Sequence, residues 1–475
     1  MLFSSLRLAA VVTAALSGAG APSTLARTVR APEGAHVIVS PRAPMTPLAL
    51  ARVALVPGYS RQTGLPCNTC HFQFPQLTPF GRQFKLNGYT MTGLTPIQNP
   101  HDSTQRRNLA LNPISPFSAM FVTSLTRMEK RVSGTQNPTV ALPQQASIFL
   151  AAGLSPKVGI FAQFTYAATE GTFGIDNVDL RYADHTTLAG KDLLFGVTLH
   201  NNPTTQDVFN TAPAWSWPFI GTEGAPSPSS SPMVQGALGQ KVAGLGAYSL
   251  WNNMLYSEFT LYGSAQQGAA QPADSSAREV LRHVAPYGRV VLLRDLGAGH
   301  VSLGAFGMDA KMYVEGVGGP ADRFTDVGAD IQYESRSSGD RLWILRSAFV
   351  HERQQSDAAF ESESATLAKR SLNDFRVSAT WMPSATFGYT LGGFMTSGTS
   401  DALFYAPEPV GGSRTGSPNS SGGIAEVVTN PWQNVRVGLQ YTRYFRFNGA
   451  SGNYDGSGRS AHDNNNLYLY SWIAF

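Results

Sequence analysis

The sequence predicts an all-β protein, a transmembrane barrel of about 16 strands that follows a small helical segment. Three observations predict this fold class. Apolar and polar residues alternate with a period of two over most of the chain, the last such stretch ends on the aromatic Phe475, and the N-terminus has the anatomy of an export signal. Strict alternation places one face of a strand in apolar surroundings and the other face in polar ones.

The composition excludes several classes of protein. Of the 475 residues only 14% are charged, against an average of about 25%. A spanning helix needs about 20 consecutive apolar residues, and the best apolar stretch, residues 8–16, is shorter. The net charge of +4 comes without a Lys/Arg cluster that would follow a phosphate backbone, so we expect no nucleic-acid partner. Abundant Gly and scarce Lys argue against a helix-rich cytosolic enzyme.

Residues 1–26 are typical of a signal peptide. Arg7 precedes the apolar run 8–16, and small residues follow that run. Two cleavage points compete, one after Ala21, where Pro22 would hinder processing, and one after Ala26, which we favour. The alternative is an N-terminal anchor helix, but the apolar run is too short to cross a bilayer. The mature chain is therefore expected in an exported compartment, where thiols normally oxidise.

Both cysteines fall in one pentapeptide, Cys67-Asn-Thr-Cys70-His71, which is the attachment signature for c-type haem. Two thiols on one helical turn add to the two vinyl groups of one haem, and His71 is placed as the proximal iron ligand. A thioredoxin-like pair would need a surrounding βαβ pattern. A zinc site would need two further ligands at matching spacing, and a disulfide over so short a loop is strained and gains little. One covalent haem c is thus the predicted cofactor.

The residues after this motif predict a short second helix. Thr78-Pro79 suits the N-cap and the first helical position, and Asn87-Gly88 is a helix stop. Phe80 and Phe84 lie at i and i+4 on one face. We expect them to pack against the haem, and filling the small core is a compatible alternative.

The sixth iron ligand is a choice between several residues. Met91, just past the second helix, is the first candidate for a distal thioether, and His101 is the alternative. Met120 and Met128 lie on the next segment, and an open iron position is a further alternative. The choice matters because Met/His ligation raises the reduction potential.

Alternating stretches continue to the C-terminus. In residues 326–334, for example, Val327, Ala329, Ile331 and Tyr333 alternate with polar residues and glycine. About 16 such stretches are predicted to begin near Phe117, Ala146, Val158, Asn177, Leu193, Val242, Leu255, Tyr287, Val301, Asp326, Leu342, Asp374, Phe387, Ile424, Val435 and Leu467.

The connections agree with an outer-membrane barrel. Short Gly/Asn/Pro turns alternate with longer polar loops such as 221–232 and 407–423. At this strand number the lumen is wide enough for a water-filled channel or a plug. A terminal aromatic such as Phe475 is typical of barrels that the outer-membrane insertion machinery recognises. The alternative is a soluble sandwich or propeller that ends in Phe.

The alternation also predicts what the lumen contains. Charged residues expected on the inner face, mostly as a solvated wall, are Asp179, Arg181, Asp326, Asp330, Asp374, Arg376 and Arg436. The acidic residues Asp326, Asp330 and Glu334 share one face and could attract cations. We expect a long loop at residues 200–217. It could fold inward and constrict the pore or cradle the haem segment. The alternative is an exposed loop whose Trp residues lie in an interfacial belt.

Together these features resemble the fused monohaem cytochrome–porins of iron-oxidising bacteria. The resemblance is carried by residues 61–71 (RQTGLPCNTCH) and 75–89 (PQLTPFGRQFKLNGY). Further matches are residues 201–207 with 213–215, and residues 445–449 with 453–456. The resemblance covers the whole mature chain and is strongest at the haem segment and the last two strands.

The resemblance implies a porin-like barrel of about 16 strands whose lumen holds a small α-helical monohaem cytochrome c segment. It implies an electron-transfer protein that passes electrons from extracellular Fe(II) to a periplasmic acceptor such as a soluble cytochrome c, and that with iron as donor would act as an Fe(II) oxidase. A conduit for a donor other than iron is the alternative. The covalent haem carries over only to Cys67, Cys70 and His71. The expected organisation is a signal peptide at 1–26, a linker at 27–50, a haem domain at 51–110 and a barrel at 111–475 in the outer-membrane lipid. A porin merely plugged or gated by the haem domain, and a haem enzyme such as a peroxidase, are the competing hypotheses.

Overall fold

The computed structural model describes residues 57–91, 94, 115–168, 171–212, 216–265, 280–314, 317–337, 341–432 and 434–475. The predicted signal peptide and linker, His101 and Trp215 lie outside the described residues.

Sixteen long strands form one antiparallel barrel within the described residues. They are β1 Phe117–Met128, β2 Thr139–Ser155, β3 Val158–Ala167, β4 Thr172–Leu188, β5 Lys191–His200, β6 Val242–Trp251, β7 Leu255–Ser264, β9 Ala285–Leu296, β10 Gly299–Tyr313, β11 Ala321–Ser337, β12 Arg341–Gln355, β13 Lys369–Met382, β14 Phe387–Gly398, β15 Ser420–Trp432, β16 Val435–Arg446 and β17 Asn466–Ala474. A two-residue strand, β8 (Val280–Leu281), pairs with β10 beyond the point where β9 begins.

The barrel is closed because the first and last strands pair. Met120 of β1 lies opposite Ala474 of β17, and on its other side β1 pairs with β2. Closure leaves no sheet edge exposed, which lipid requires because unpaired backbone groups there are costly. The predicted strand number is confirmed, and each predicted starting residue falls within a strand or at its beginning.

The outer face of the barrel is apolar and the inner face is polar, which is the reverse of a soluble protein. On β11, Val327 is 60% exposed on the outer face while its neighbour Asp326 is fully buried on the inner face. Outward-facing Trp343, Trp381 and Tyr389 stack on one another, with ring centroids 5.8 and 5.7 Å apart. An apolar outer band with aromatic residues at its border is the surface that a membrane barrel presents to lipid.

Short turns and longer loops lie at opposite ends of the barrel. The start of β1 and the end of β17 lie at the end where short turns join β2 to β3, β4 to β5 and β6 to β7. The long segments after β5, β14 and β16 lie at the other end. In barrels of this class the short turns are periplasmic and the long loops extracellular.

Two segments fill the lumen. The N-terminal plug, residues 57–91, contains the helices α1 Gly58–Thr63, α2 Cys67–Cys70 and α3 Pro79–Leu86 and occupies the short-turn half. The inward loop, residues 201–212 and 216–241, contains α4 Pro203–Gln206 and reaches from the long-loop end into the lumen. A fifth helix, α5 Asp357–Glu361, follows β12. Along the described ranges, none of the helices is long and apolar enough to cross a bilayer.

The plug is fixed to the barrel wall by polar contacts. Arg82 donates to both carboxylate oxygens of Glu334 on β11, at 2.7 and 3.0 Å. The hydroxyl of Tyr89 donates to Asp179 on β4 at 2.6 Å. The side chain of Gln62 donates to the backbone carbonyl of a residue on β2 at 2.5 Å. Each partner comes from a different part of the wall, so the plug is held from several sides.

The inward loop confirms one of the two alternatives that the sequence left open. Its residues Val208, Phe209, Trp217 and Ile220 are buried inside the barrel rather than placed in an interfacial belt. The loop meets the plug where the side chain of Asn210 accepts a hydrogen bond from the N–H of a plug residue at 2.9 Å.

The lumenal charges differ from the solvated wall that the sequence predicted. They do face inward, but the plug and the inward loop cover them, and Arg181, Asp179 and Asp326 are fully buried. The three acidic residues of the predicted cation-attracting row are each engaged separately. Asp330 pairs with Arg289 at 2.7 Å, Glu334 pairs with Arg82, and Asp326 accepts the N–H of Val234 at 2.7 Å. Arg289 belongs to the wall strand β9, but Asp330 also accepts a hydrogen bond from the hydroxyl of Thr211 in the inward loop at 2.8 Å. Each of the three carboxylates therefore contacts one of the two plugging segments, and they do not present a free acidic row.

Candidate functional site

A cavity inside the barrel brings together the chemistry-bearing residues of the plug. Cys67, Cys70 and His71 line one side of it, and residues of β1, β2 and β3 line the other. The empty space, including that at its mouth, amounts to about 1420 Å³. Asn434 and Ala474, at the short-turn end of the barrel, also line it. The cavity therefore lies in the short-turn half of the lumen, which is the periplasmic half in barrels of this class.

The two cysteines occupy the first and last positions of the single-turn helix α2. Both thiols are free and half-buried. Burial raises the pKa of Cys70 to about 12, with the neighbouring Cys67 adding to the shift, and burial also raises the pKa of Cys67. Redox-active Cys-x-x-Cys pairs depend on a lowered thiol pKa. This environment thus opposes the thioredoxin-like alternative.

The imidazole of His71 is held in one orientation by its neighbours. Its Nδ1 lies 3.2 Å from the carbonyl oxygen of Pro75, and its ring packs against Phe74 with centroids 4.4 Å apart. Burial lowers the pKa of His71 to about 4, so the ring is neutral at physiological pH. With the proton on Nδ1 donated to the carbonyl oxygen of Pro75, Nε2 carries a lone pair that is available to a metal ion. Metal-binding histidines are commonly oriented by such a bond from the other ring nitrogen.

The predicted second helix is confirmed as α3. The hydroxyl of Thr78 accepts the N–H of Gly81 at 3.0 Å and donates to the carbonyl of Thr69, so one side chain caps α3 and ties it to α2. Asn87 ends the helix, and Gly88 follows with φ +68°. The cap therefore fixes the position of α3 relative to the cysteines.

Helices α2 and α3 approach each other so closely that position 81 requires glycine. A Cβ at Gly81 would lie closer than 3.0 Å to the carbonyl oxygen of Cys70. Glycine lets the backbone of α3 come this near to the Cys-x-x-Cys turn.

Only one of the two predicted aromatic residues reaches the cavity. Phe84 lines it and is 7% exposed, whereas Phe80 is 40% exposed and does not line it. Helix α3 faces the cavity with Gly81, and Phe80 lies about 100° around the helix from that glycine. Tyr59 and Tyr89 complete the aromatic wall, where their rings stack with centroids 5.4 Å apart. The i, i+4 spacing of Phe80 and Phe84 predicts that both lie on one face of α3, but it does not predict which of them borders the cavity.

The candidates for the distal ligand differ in their position relative to the cavity. Met91 is half-buried at the end of the plug and is not among the cavity-lining residues. His101 lies outside the described residues. Met120, which the sequence placed only on the next segment, lines the cavity. The available signal was its even position on β1, where even-numbered residues point into the lumen.

The donor set suits a covalent haem. Two thiols one helical turn apart, a neutral imidazole and a largely apolar cavity are the groups that c-type attachment uses. Cys67, Cys70 and His71 would hold the group, and Phe84 would pack against it.

No family model matches the chain, and no curated protein matches it at a significant level. Several solved structures are similar to it. One is OmpT with loop L8 deleted, an outer membrane protein of Vibrio cholerae, at 12% identity and a TM-score of 0.41, covering 76% of this chain and 98% of that one. The outer membrane channel DcaP of Acinetobacter baumannii has 11% identity and a TM-score of 0.41, with 76% and 96% covered. An anion-selective porin from Comamonas acidovorans has 11% identity and a TM-score of 0.43, with 76% and 98% covered.

The chain folds as a porin-like outer-membrane β-barrel. This assignment rests on the closed antiparallel register and the apolar outer face described above. The outer membrane of a Gram-negative cell is therefore its location, and membrane lipid surrounds it.

Proposed function

We propose that this barrel is an outer-membrane c-type cytochrome that moves electrons between the cell surface and the periplasm. One observation carries the proposal. The Cys67, Cys70 and His71 motif lies inside a membrane barrel, against an apolar cavity, with the histidine oriented through Pro75. A haem bound there would supply a one-electron iron couple.

The position of the cavity supports transfer toward the periplasm. The cavity lies toward the short-turn end, so a periplasmic acceptor such as a soluble cytochrome c would approach it from nearby. Strands β1, β2 and β3 of the barrel wall separate the cavity from the surrounding lipid. The plug is anchored to the wall by the Arg82–Glu334 pair. In the net reaction, each extracellular Fe(II) gives up one electron to become Fe(III), and the acceptor gains that electron.

Extracellular Fe(II) as the donor rests on the resemblance to cytochrome–porins of iron oxidisers. Within the described residues there is no group of three or more His, Cys, Asp or Glu side chains placed to hold a metal ion. A conduit has a physical use here, because Fe(III) precipitates and is best formed outside the cell. A donor other than iron would use the same cavity.

A second candidate is a porin whose lumen the plug gates. The porin-like barrel favours it, but the burial of Arg181, Asp179 and Asp326 opposes open water along the wall. Planar-bilayer recordings separate the two proposals. Steady ion conductance by the intact protein would favour the gated porin, whereas a closed lumen favours the conduit.

The direct test is a visible spectrum of protein produced with the c-type maturation machinery, before and after anaerobic Fe(II). We expect covalent haem that stains in a denaturing gel, with sharp low-spin reduced bands after Fe(II). Cys67→Ala and Cys70→Ala should each weaken or remove the stain, while Asn68→Ala, which leaves both thiols in place, should retain it.

The outcomes are distinct. Haem that dithionite reduces but Fe(II) does not would remove iron and leave a conduit for another donor. Absence of covalent haem from the wild-type protein would refute the cytochrome assignment and leave the gated porin.

A further inference from the structure

We propose that Met120, on the barrel wall, is the distal ligand of the haem iron. This inference rests on the proposed function, because it assumes that haem is attached at Cys67 and Cys70. It moves the sixth ligand from the N-terminal segment, where the sequence pointed, to the first strand of the barrel.

The first argument is position. Met120 lies on the lumenal face of β1, is 3% exposed and borders the same cavity as the two cysteines and His71. It belongs to a buried apolar cluster with Trp472, against which Phe74 packs. Phe74 in turn contacts the His71 ring at 4.4 Å and Trp472 at 6.2 Å, measured between ring centroids. The thioether and the imidazole thus belong to one contiguous set of contacts around the cavity.

The second argument compares the other strong iron donors among the described residues that line the cavity. The hydroxyl of Tyr59 donates to a backbone carbonyl at 2.6 Å, and that of Tyr89 donates to Asp179 at 2.6 Å. The ammonium of Lys85 lies 3.8 Å from the same Asp179 carboxylate. Each of these three is therefore held by an oxygen of the wall. Met120 is the thioether on this cavity, and a thioether is an established haem ligand.

The third argument concerns mechanics. A haem joined by thioether bonds to α2 and by iron to β1 would connect the plug to the wall across the cavity. Met91 would provide no such connection, because it belongs to the plug itself. Ligation by Met120 would also raise the reduction potential relative to a bis-histidine site. This favours the reduced state and so suits acceptance of an electron from a weak donor such as Fe(II).

The test uses the full-length protein with attached haem and the variant Met120→Leu. Leucine conserves the volume of methionine, so the buried cluster should keep its packing while the sulfur is lost. Met128→Leu is the matched control, since Met128 lies on the same strand and the same face and is 4% exposed. Met91→Leu tests the ligand that the sequence favoured.

Three readouts report the iron ligand without an activity assay. They are the far-red charge-transfer band of ferric Met-ligated haem, the strongly upfield methyl resonance of an axial methionine in the ferrous proton spectrum, and the midpoint potential. We expect Met120→Leu to abolish the band and the methyl resonance and to lower the potential, with covalent haem retained. Met128→Leu and Met91→Leu should keep all three signals.

Two results would overturn the inference, and they are distinguishable. If Met120→Leu retains the band and the methyl resonance, or if the wild type with attached haem lacks them, Met120 is not the ligand and the proposed function stands. If the wild-type protein carries no covalent haem, the proposed function fails and this inference fails with it.

Discussion

The ion pair between Arg82 and Glu334 is predicted to decide whether the plug stays docked. The guanidinium makes a two-pronged contact with the carboxylate at 2.7 and 3.0 Å, and both side chains are at most 5% exposed. Arg82 also donates to the carbonyl of Leu77 at 3.0 Å, within the plug. Removal of one member of a buried pair leaves an uncompensated charge and costs about 3–5 kcal/mol.

Arg82→Met should therefore lower the free energy of local opening of α3 by about 3 kcal/mol, which is about a 100-fold rise in the open population. Hydrogen exchange of the amides in α3, followed by mass spectrometry, measures that free energy directly. The double variant Arg82→Met with Glu334→Met should recover most of the loss, because an apolar pair of similar volume replaces a buried ion pair at little cost.

The control is an exposed pair. Lys130 and Asp463 lie 2.9 Å apart, but the lysine side chain is 56% exposed, so Lys130→Met should change stability by less than about 1 kcal/mol. If Arg82→Met has as small an effect as Lys130→Met, or if the double variant loses as much as the two single variants together, the pair does not hold the plug as argued.

Two further predictions concern the inward loop and an extracellular loop. Gly392→Ala should loosen the inward loop by about 1–3 kcal/mol through overpacking, because the new Cβ would lie closer than 3.0 Å to the ring of Trp217. A Cβ at Gly393 would meet its nearest atoms, from Gly422 and Val377, at 3.8 Å, which is ordinary contact. Faster protease cleavage of the loop in Gly392→Ala, but not in Gly393→Ala, checks this, and equal rates would contradict it. Burial alone would raise the pKa of Asp401, but the backbone N–H of Thr366 and others lower it to about 2. In the unfolded chain the pKa of this carboxyl is near 3.8, so at pH values above 3.8 the ionised carboxylate stabilises the folded loop by about 2 kcal/mol. This stabilisation is lost as the pH falls toward 2, the pKa in the folded protein. Asp401→Asn should thus speed amide exchange at Thr366 at pH 7 and have little effect near pH 2, and a pH-independent effect would exclude this mechanism.

Features that depend on neighbours in the chain could be predicted from the sequence. The period-two alternation located the sixteen long strands, because burial on one face of a strand constrains every second residue locally. The helix Pro79–Leu86 was predicted for the same kind of reason. Its cap, Thr78, and its stop, Asn87-Gly88, act over one turn. The Cys-x-x-Cys-His motif also lies within five consecutive residues, so its spacing is visible without a fold.

Features that depend on contacts between distant residues could not be predicted. The alternation assigns Glu334 to an acidic row, but the structure pairs it with Arg82, which lies 252 residues away. The inward course of the loop at Phe209 and the exposure of Phe80 depend equally on what fills the lumen.

The sequence by itself determined the strands, their inner and outer faces, the second helix and the cysteine motif. Each of these follows from a repeat or a spacing shorter than one structural element. The resemblance implied an N-terminal segment in the lumen, but only the tertiary structure decided which wall residues meet that segment and that the inward loop fills the rest, because closure of β1 onto β17 turns sixteen separate inner faces into one wall. In the closed barrel Met120 borders the same cavity as Cys67 and Cys70, a placement that no local pattern encodes.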